Sequence, residues 1–523
     1  MKRYKEYVII LIVTLIISLP LLKSNLNIYR DDGIQHVLRL AGTLDSIKTR
    51  QIFPVIMSNF CNGFGYSWNL FYSPATAYAP LVFRLITSSY EVCFKLFMTF
   101  TLFLSGLFMY KFIFQITKKR EVALIGSIIY IIAPYRMTDM YTRVAISEHT
   151  AFIFLPMIFM GLDNIIKQQK GTYYLTIGAI GLILTHSIST FIVIIFAFIY
   201  LIINIKKVAN KKIILKLVIS AIFILLITSF YTVPMLEHKA ATEYEVFIKN
   251  RMGSVEKISQ NALSIGDLLI TKDEELPVRI GFLILIPLAF TPMCIKHVCD
   301  KKTYITFLCF GCVSIFMCLN IFPWKYMPEM FGVIQFSFRM LEFVIFFLSV
   351  IVAINFSMFV KKISVVAIAI IFVVAMFSLV SFKIYYDKKD IQLVPRKVTG
   401  SKERVNAGCA SFEYLPKKAY ENRDYIATRE NRIYVLDEEN SIIELPYIYY
   451  LGYNIKVSGE KVSYFETVNG FIGINVGADD PVRPEEHISV EYTGTALMKI
   501  TAIISFVSLI IFIVYDIYGG RKK

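Results

Sequence analysis

Apolar runs close to twenty residues long recur along this chain, and nothing else about it limits the fold so strongly. A run of that length matches the hydrocarbon thickness of a bilayer when it is helical. A helix also pairs its own backbone polar groups where no water can do so. The runs fall at roughly 7–22, 91–116, 121–138, 150–166, 172–186, 188–204, 213–234, 279–296, 303–321, 334–355, 363–381 and 496–515. With 523 residues, 56% of them hydrophobic, the expectation is a polytopic membrane protein and not one large soluble core. The first run lacks a small-residue cleavage site and reads as a retained helix.

The net charge of +16 raises the question of nucleic acid, but its placement answers it. Lys and Arg gather at Lys2-Arg3-Lys5, Lys118-Lys119-Arg120, Lys167 to Lys170, Lys206 to Lys216, Lys296 to Lys302, Lys361-Lys362 and Arg521 to Lys523. They follow every second apolar run, which is the positive-inside pattern, so nucleic acid is set aside and both termini are expected in the cytoplasm. The stretch Ala75 to Ile86 is apolar but short, interrupted by Pro80 and closed near Arg84. It reads as a re-entrant or surface helix, because counting it as a span would turn Lys118-Lys119-Arg120 outward.

The fold class expected is an all-α polytopic membrane protein of about twelve transmembrane helices, with a small extracytoplasmic β domain before the last helix. Residues 1–381 form the transmembrane part with outer loops 23–90 and 235–278. Residues 382–495 form the β-rich outer domain, and 496–523 the final helix and cytoplasmic tail. Arg432 to Leu436, Tyr447 to Tyr450 and Ile488 to Tyr492 are β-branched and aromatic between Gly, Asn and Pro turns, as strands are. That domain carries no paired acids, His cluster or phosphate loop and suggests a structural or substrate-gripping part.

Candidate chemistry lies in the outer segments. Arg30-Asp31-Asp32-Gly33-Ile34-Gln35-His36 leads into an amphipathic stretch whose Ile34, Val37, Leu38 and Ala41 recur at helical spacing. Such a helix should lie along the bilayer surface, with Asp32, His36 and Arg39 on the opposite face pointing above the membrane. Arg136, Asp139, Tyr141, Arg143, Glu148 and His149 crowd one short outer turn, either as a solvated loop of local ion pairs or as a site. His186 and Glu237 each follow an apolar run in the same way, and for His186 a packing role weighs as much as a ligand-facing one.

Gln335, Arg339 and Glu342 lie four and three residues apart near the outer end of one run. An intramembrane Arg is costly unless it faces a partner or cavity. An internal Arg339–Glu342 pair is the plain reading; a guanidinium awaiting an anionic head group is the sharper one.

Cysteine decides little. Cys309 and Cys312 form a C-x-x-C with no second pair or nearby His to complete a zinc set. Cys61 and Cys409 both fall in outer segments, where pairing is open. Asp31, Asp32 and His36 offer two or three ligands on one short segment, so no cofactor is assigned; a divalent metal is possible but less expected than its absence.

These residues together suggest an outer-leaflet cavity with a carboxylate at its rim and cations inside. Transfer of a sugar from a lipid phosphate needs those parts: a base for the acceptor hydroxyl and positive charge for the leaving phosphate. Here the chain resembles the GT-C superfamily of polyprenyl-phosphate-sugar glycosyltransferases, and within it the bacterial YfhO-like and 6-pyruvoyl-tetrahydropterin-synthase-related membrane proteins. The resemblance rests on Asp31-Asp32-Gly33 with His36, Gly65 through Phe71-Tyr72-Ser73-Pro74, and Ala133-Pro134-Tyr135-Arg136 with Tyr141, Arg143 and Glu148. It continues in Thr185-His186-Ser187, Ile334 to Arg339, Glu413-Tyr414-Leu415-Pro416 and Pro446 through Gly452-Tyr453.

It implies an inverting glycosyltransferase of the bacterial plasma membrane with Asp31 or Asp32 as base. Substrate contacts are expected at His36, Arg39, Tyr72, Arg136, Arg143, Glu148, His149, His186, Glu237, Gln335 and Arg339. The donor would be a polyprenyl-phosphate-linked sugar and the acceptor an envelope glycan, glycolipid or glycopolymer. The tenth run departs from the family pattern, with Phe336-Ser337-Phe338 where Pro-Trp is usual. A transporter or lipid flippase, and an inactive scaffold of the same fold, remain as alternative readings.

Overall fold

The computed structural model describes residues 4–22, 32–48, 53, 55–168, 171–248, 253–269, 278–298, 300–359, 409, 411–428, 435–437, 442–475 and 487–521. Among the described residues six helices are long and apolar enough to cross a membrane: Tyr90–Thr117, Ile146–Lys167, Lys211–Ala241, Lys301–Cys318, Ser337–Met358 and Ala496–Ile517. The bent pair Arg120–Ile132 and Pro134–Thr142 would make a seventh.

The expected count of about twelve is therefore not reproduced. The runs 172–186 and 188–204 give the shorter helices Tyr173–Ile183 and Ser187–Ile203. The first has 11 residues, and at about 1.5 Å per residue it falls well short of a roughly 30 Å core. The run 279–296 breaks into Phe282–Ala289 and Thr291–Cys294, with Pro287 inside the first and Pro292 opening the second. The run 363–381 lies outside the described residues. Ala75 to Ile86 forms two short turns, Ala75–Tyr78 and Ala79–Leu85.

Helix ends follow local chemistry. Ser89 caps Tyr90–Thr117 by accepting from the Val92 N–H, and Lys118 closes that helix at φ 58° so that Arg120 can start the antiparallel return. The two helices approach closely enough for Ser127 Oγ to donate to the Gly106 carbonyl at 2.7 Å.

Packing separates centre from periphery. In an apolar 18-residue stretch of each helix the buried share is 83% in Ser337–Met358 and 94% in Ile146–Lys167, but 28% in Lys211–Ala241 and 22% in Ala496–Ile517. Phe159, Phe307, Phe310, Phe346 and Phe347 interlock in the centre, with ring centroids 4.9–5.8 Å apart in neighbouring pairs. The two peripheral helices hold each other through small polar groups, with Ser229 Oγ 3.0 Å from Ser505 Oγ.

A second apolar cluster joins Ile56 to Phe71 with Tyr244, Tyr414, Leu415, Tyr450 and Ile472. Among the described residues its C-terminal part carries seven strands: β1 Val435–Asp437, β2 Ile442–Ile448, β3 Tyr453–Val457, β4 Glu460–Val462, β5 Phe465–Glu466, β6 Phe471–Asn475 and β7 Ile488–Tyr492. They form antiparallel sheets in the orders β1-β2-β6-β5 and β4-β3-β7. Ser458 and Gly459, at φ 52° and 91°, make the two-residue turn between β3 and β4. Two short helices, Lys417–Glu421 and Arg423–Thr428, precede the strands.

Candidate functional site

The site begins with a broken helix. Pro134 cannot continue the hydrogen-bond ladder of Arg120–Ile132, and Ala133 turns extended before it. The chain bends by 48° there. A widened turn over Thr138–Thr142 and a left-handed Val144 at φ 53° then feed Ile146–Ala151.

This path folds Tyr135, Asp139, Arg143 and Glu148 onto one another. Arg143 Nη1 donates to Asp139 Oδ1 at 2.6 Å, Glu148 Oε2 at 2.8 Å and the Tyr135 hydroxyl at 3.0 Å. The Tyr135 hydroxyl in turn donates to Glu148 Oε1. The turn is therefore a buried ion cluster, not a solvated loop.

Arg339 reaches the same cluster from another element. Gln335 sits at φ 66° after the turn Glu329–Ile334, a conformation costly for a residue with a side chain. Its Oε1 accepts from Arg339 Nη1 at 2.5 Å, and the Ile334 carbonyl accepts from the same nitrogen at 3.0 Å. Arg339 Nε lies 3.7 Å from Glu148 Oε2 and has no hydrogen-bond acceptor among the described residues.

The plain reading of an Arg339–Glu342 pair is not what forms. Glu342 accepts from Ser189 Oγ, which lies 2.6 Å from His186 Nδ1. His186 also caps Ser187–Ile203.

Asp32 stands at the open side. Its residue surface is exposed, and its backbone N–H meets the Arg143 carbonyl at 3.4 Å. Loss of hydration pushes its carboxyl above the ordinary 3.8, with Arg143 and Arg339 pulling it back and Glu148 adding to the rise. Side-chain exposure falls from Arg339 at 12% through Arg143 at 9% to Glu148 at 2% and Asp139 at 0%. A polar path thus runs inward from Asp32, with Arg339 the more accessible guanidinium. Asp31 lies outside the described residues.

The helix Gly33–Lys48 departs from expectation. His36 and Arg39 are buried, as are Val37 and Leu38, so neither face lies in lipid or points above the membrane. The reason is the segment that folds over it. Arg39 donates to Asn69 Oδ1 at 2.8 Å and to the Tyr72 and Ser73 carbonyls at 2.8 and 3.3 Å, and stacks 4.5 Å from the Tyr72 ring centroid. His36 packs between Tyr72 and Phe94. Burial and the Arg39 charge depress its imidazole to about 3, so it is neutral at ordinary pH.

Tyr72 faces both Asp32 and Arg39. Arg136 is sequestered on the His149 carbonyl at 3.1 Å and Ser105 Oγ at 3.2 Å, over the Phe152 ring. His149 Nε2 contacts the Met98 carbonyl at 3.1 Å. Glu237 accepts from Thr495 Oγ1 at 2.7 Å, tying the final helix to Lys211–Ala241. The structure thus brings Asp32, Tyr72, Arg143, Glu148, His186, Gln335 and Arg339 together, and gives Arg39, Arg136, His149 and Glu237 packing partners elsewhere. Among the described residues no three His, Cys, Asp or Glu side chains gather to hold a metal ion.

The profile described as bacterial membrane protein YfhO matches residues 10–399. The chain belongs to the YfhO family. A relative of this YfhO-family chain, an uncharacterised protein of Lactococcus lactis subsp. cremoris strain MG1363, is 25% identical over 347 residues. The match takes in 62% of this chain and spans 55% of that relative's length. Among solved structures, the arabinofuranosyltransferase AftD from Mycobacteria, determined by cryo-electron microscopy, is similar at 12% identity with a TM-score of 0.49, over 75% of this chain and 27% of AftD.

Two contributors to this candidate site were not among the expected substrate contacts, although Tyr135 lies in a stretch that carries the resemblance. Tyr135 bridges Arg143 and Glu148, and Ser189 bridges His186 and Glu342. The signal for the first was its place just after the helix-breaking Pro134. For the second it was a hydroxyl three residues beyond a capping His.

Proposed function

We propose that this protein is a membrane glycosyltransferase that moves a sugar from a polyprenyl-phosphate donor to an extracytoplasmic acceptor, an envelope glycan, glycolipid or glycopolymer, with inversion. It works on the outer face of the bacterial plasma membrane, and both termini are cytoplasmic. The observation that carries this reading is the juxtaposition of the carboxyl of Asp32, a residue at the open side, with two guanidiniums, of which Arg339 keeps an N–H donor without an acceptor among the described residues.

In the reaction, Asp32 takes the proton of the acceptor hydroxyl as that oxygen bonds to the anomeric carbon. The bond from that carbon to the phosphate oxygen breaks, and the charge left on polyprenyl phosphate is met by Arg339. Arg143 holds Glu148 and Tyr135 in place and sets the field around Arg339. The apolar side chains exposed at Met330, Val333 and Phe336, just before Arg339, support a path for the lipid tail.

The test is release of free polyprenyl phosphate. Purified protein in lipid vesicles is given a panel of polyprenyl-phosphate sugars and envelope acceptor, beside the Asp31→Asn, Asp32→Asn double variant. Release by the wild type, reduced about 10²-fold or more in the variant, is expected for a lost general base. No release from any donor, with both proteins folded, overturns the reading and favours transport or a scaffold role.

A further inference from the structure

Cys61 and Cys409 lie 348 positions apart in the chain, yet the two thiols are neighbours in one apolar cluster. Both are buried, at 0% and 1% exposure. Each sits in a tight turn. Cys61 and Asn62 both hold left-handed backbone, at φ 54° and 53°, and Phe412, whose N–H meets the Cys409 carbonyl at 2.8 Å, holds φ 51°. Left-handed conformations cost non-glycine residues free energy and persist only where surrounding contacts impose them.

Those contacts are present on both sides of the pair. Asn62 Nδ2 donates to the Ile426 and Ala427 carbonyls at 2.7 and 2.9 Å, and Ser67 Oγ donates to the Tyr414 carbonyl at 2.6 Å. The two turns are therefore held in register by bonds that do not involve sulfur. Within the described residues Cys93, Cys294, Cys309, Cys312 and Cys318 lie in helices of the membrane part, so these two are set apart by location.

We propose that Cys61 and Cys409 are a disulfide site that fastens the outer loop bearing Tyr72 to the segment leading into the strands. It rests on the outward placement of segments 23–90 and 382–495, where disulfides persist. Two S–H bonds break and one S–S bond forms. The two electrons and two protons pass to an external disulfide, small or carried by a thiol oxidoreductase, which is reduced to its dithiol. Burial pushes the Cys61 thiol well above its ordinary value, so exchange belongs to the time before the cluster closes, and the closed bridge is shielded from reductants.

The experiment uses full-length protein in native membranes. Free thiols are blocked with N-ethylmaleimide under denaturing acid-quenched conditions without reductant, and peptides are then mapped by mass spectrometry. A cross-linked pair of peptides holding Cys61 and Cys409, lost after reduction, is expected. Both cysteines recovered as maleimide adducts, while protease added to intact cells cleaves within 442–475, overturns the proposal. The same adducts with that region protected from protease also overturn it, by removing the outward placement. A Cys61→Ala, Cys409→Ala variant that abolishes the cross-link without changing its abundance confirms the assignment of the peptides.

Discussion

Asp32 is the residue whose environment does most for the proposed chemistry. As a base it must be ionised, and burial raises its pKa while Arg143 and Arg339 lower it. The acid limb of kcat/KM should therefore lie above the usual carboxylate range. Removing one of those cations lets the pKa rise further. Arg339→Gln is expected to move the limb to higher pH and to weaken donor binding; a limb that stays put or moves down, in a pH–rate profile, would separate Arg339 from Asp32. The other guanidinium behaves differently. Arg143→Met strands Asp139 and Glu148 without their cation, and breaking a buried pair costs about 3–5 kcal/mol. That variant should lose thermal stability in detergent, whereas Arg339→Met leaves Glu148 paired with Arg143 and keeps it. Equal stability losses would contradict the geometry described.

How much of this was legible varies by residue. Arg339 could be picked out because a guanidinium near the end of an apolar run is costly and so must face something. The crowding of Arg136, Arg143, Glu148 and His149 was equally visible, but which of them share a site was not. That depends on the 48° bend at Pro134. Arg39 was misplaced because the helical period shows only that two faces differ, not that Asn69, Tyr72 and Ser73 return to cover the polar one.

At the scale of elements, the turn Glu329–Ile334 positions Arg339, the proposed phosphate-binding end of the site. It is pressed against the start of Val255–Gln260. A Cβ on Gly253 would lie 2.5 Å from the Gly332 carbonyl oxygen, and one on Gly332 would lie 3.0 Å from that of Gly253. Only backbone without side chains fits this approach, and Gln335 with its left-handed φ stands directly beside it. Gly332→Val is expected to shift Gln335 and with it Arg339. Misplacement of about 1 Å can lower rates by about 10²-fold, to be read as kcat/KM for sugar release. Gly171→Val, where only the Asp516 carboxylate is near, is the control that should leave it unchanged. The glycines themselves were in plain sight, but their pairing across 79 positions was not, since no periodicity links them.

For the whole molecule, topology is the open test. A reporter fused after Lys119 is expected to read cytoplasmic and one within 458–460 external; an external signal at Lys119 would make Ala75 to Ile86 a true span and shift the topology upstream of it. The membrane class was legible from run length and charge placement, because both follow from bilayer thickness and potential. The number of crossings was not, because Pro287, Pro292 and the cap at His186 shorten helices that hydropathy alone counts as full.

The second apolar cluster joins Tyr66 to Tyr414, 348 positions apart, and Gly65 to Tyr450, 385 apart. During synthesis at about 5–20 residues per second, the early loop must wait roughly 17–70 s for its partners to leave the ribosome. Throughout that interval Phe64, Tyr66 and Phe71 lack the Phe471 and Tyr414 rings that they meet in the folded protein, although the helices beneath can already be inserted. A ribosome that stops before the strands would thus leave a membrane-embedded bundle with an uncovered aromatic loop, a species well suited to quality-control recognition and visible as a protease-sensitive nascent chain.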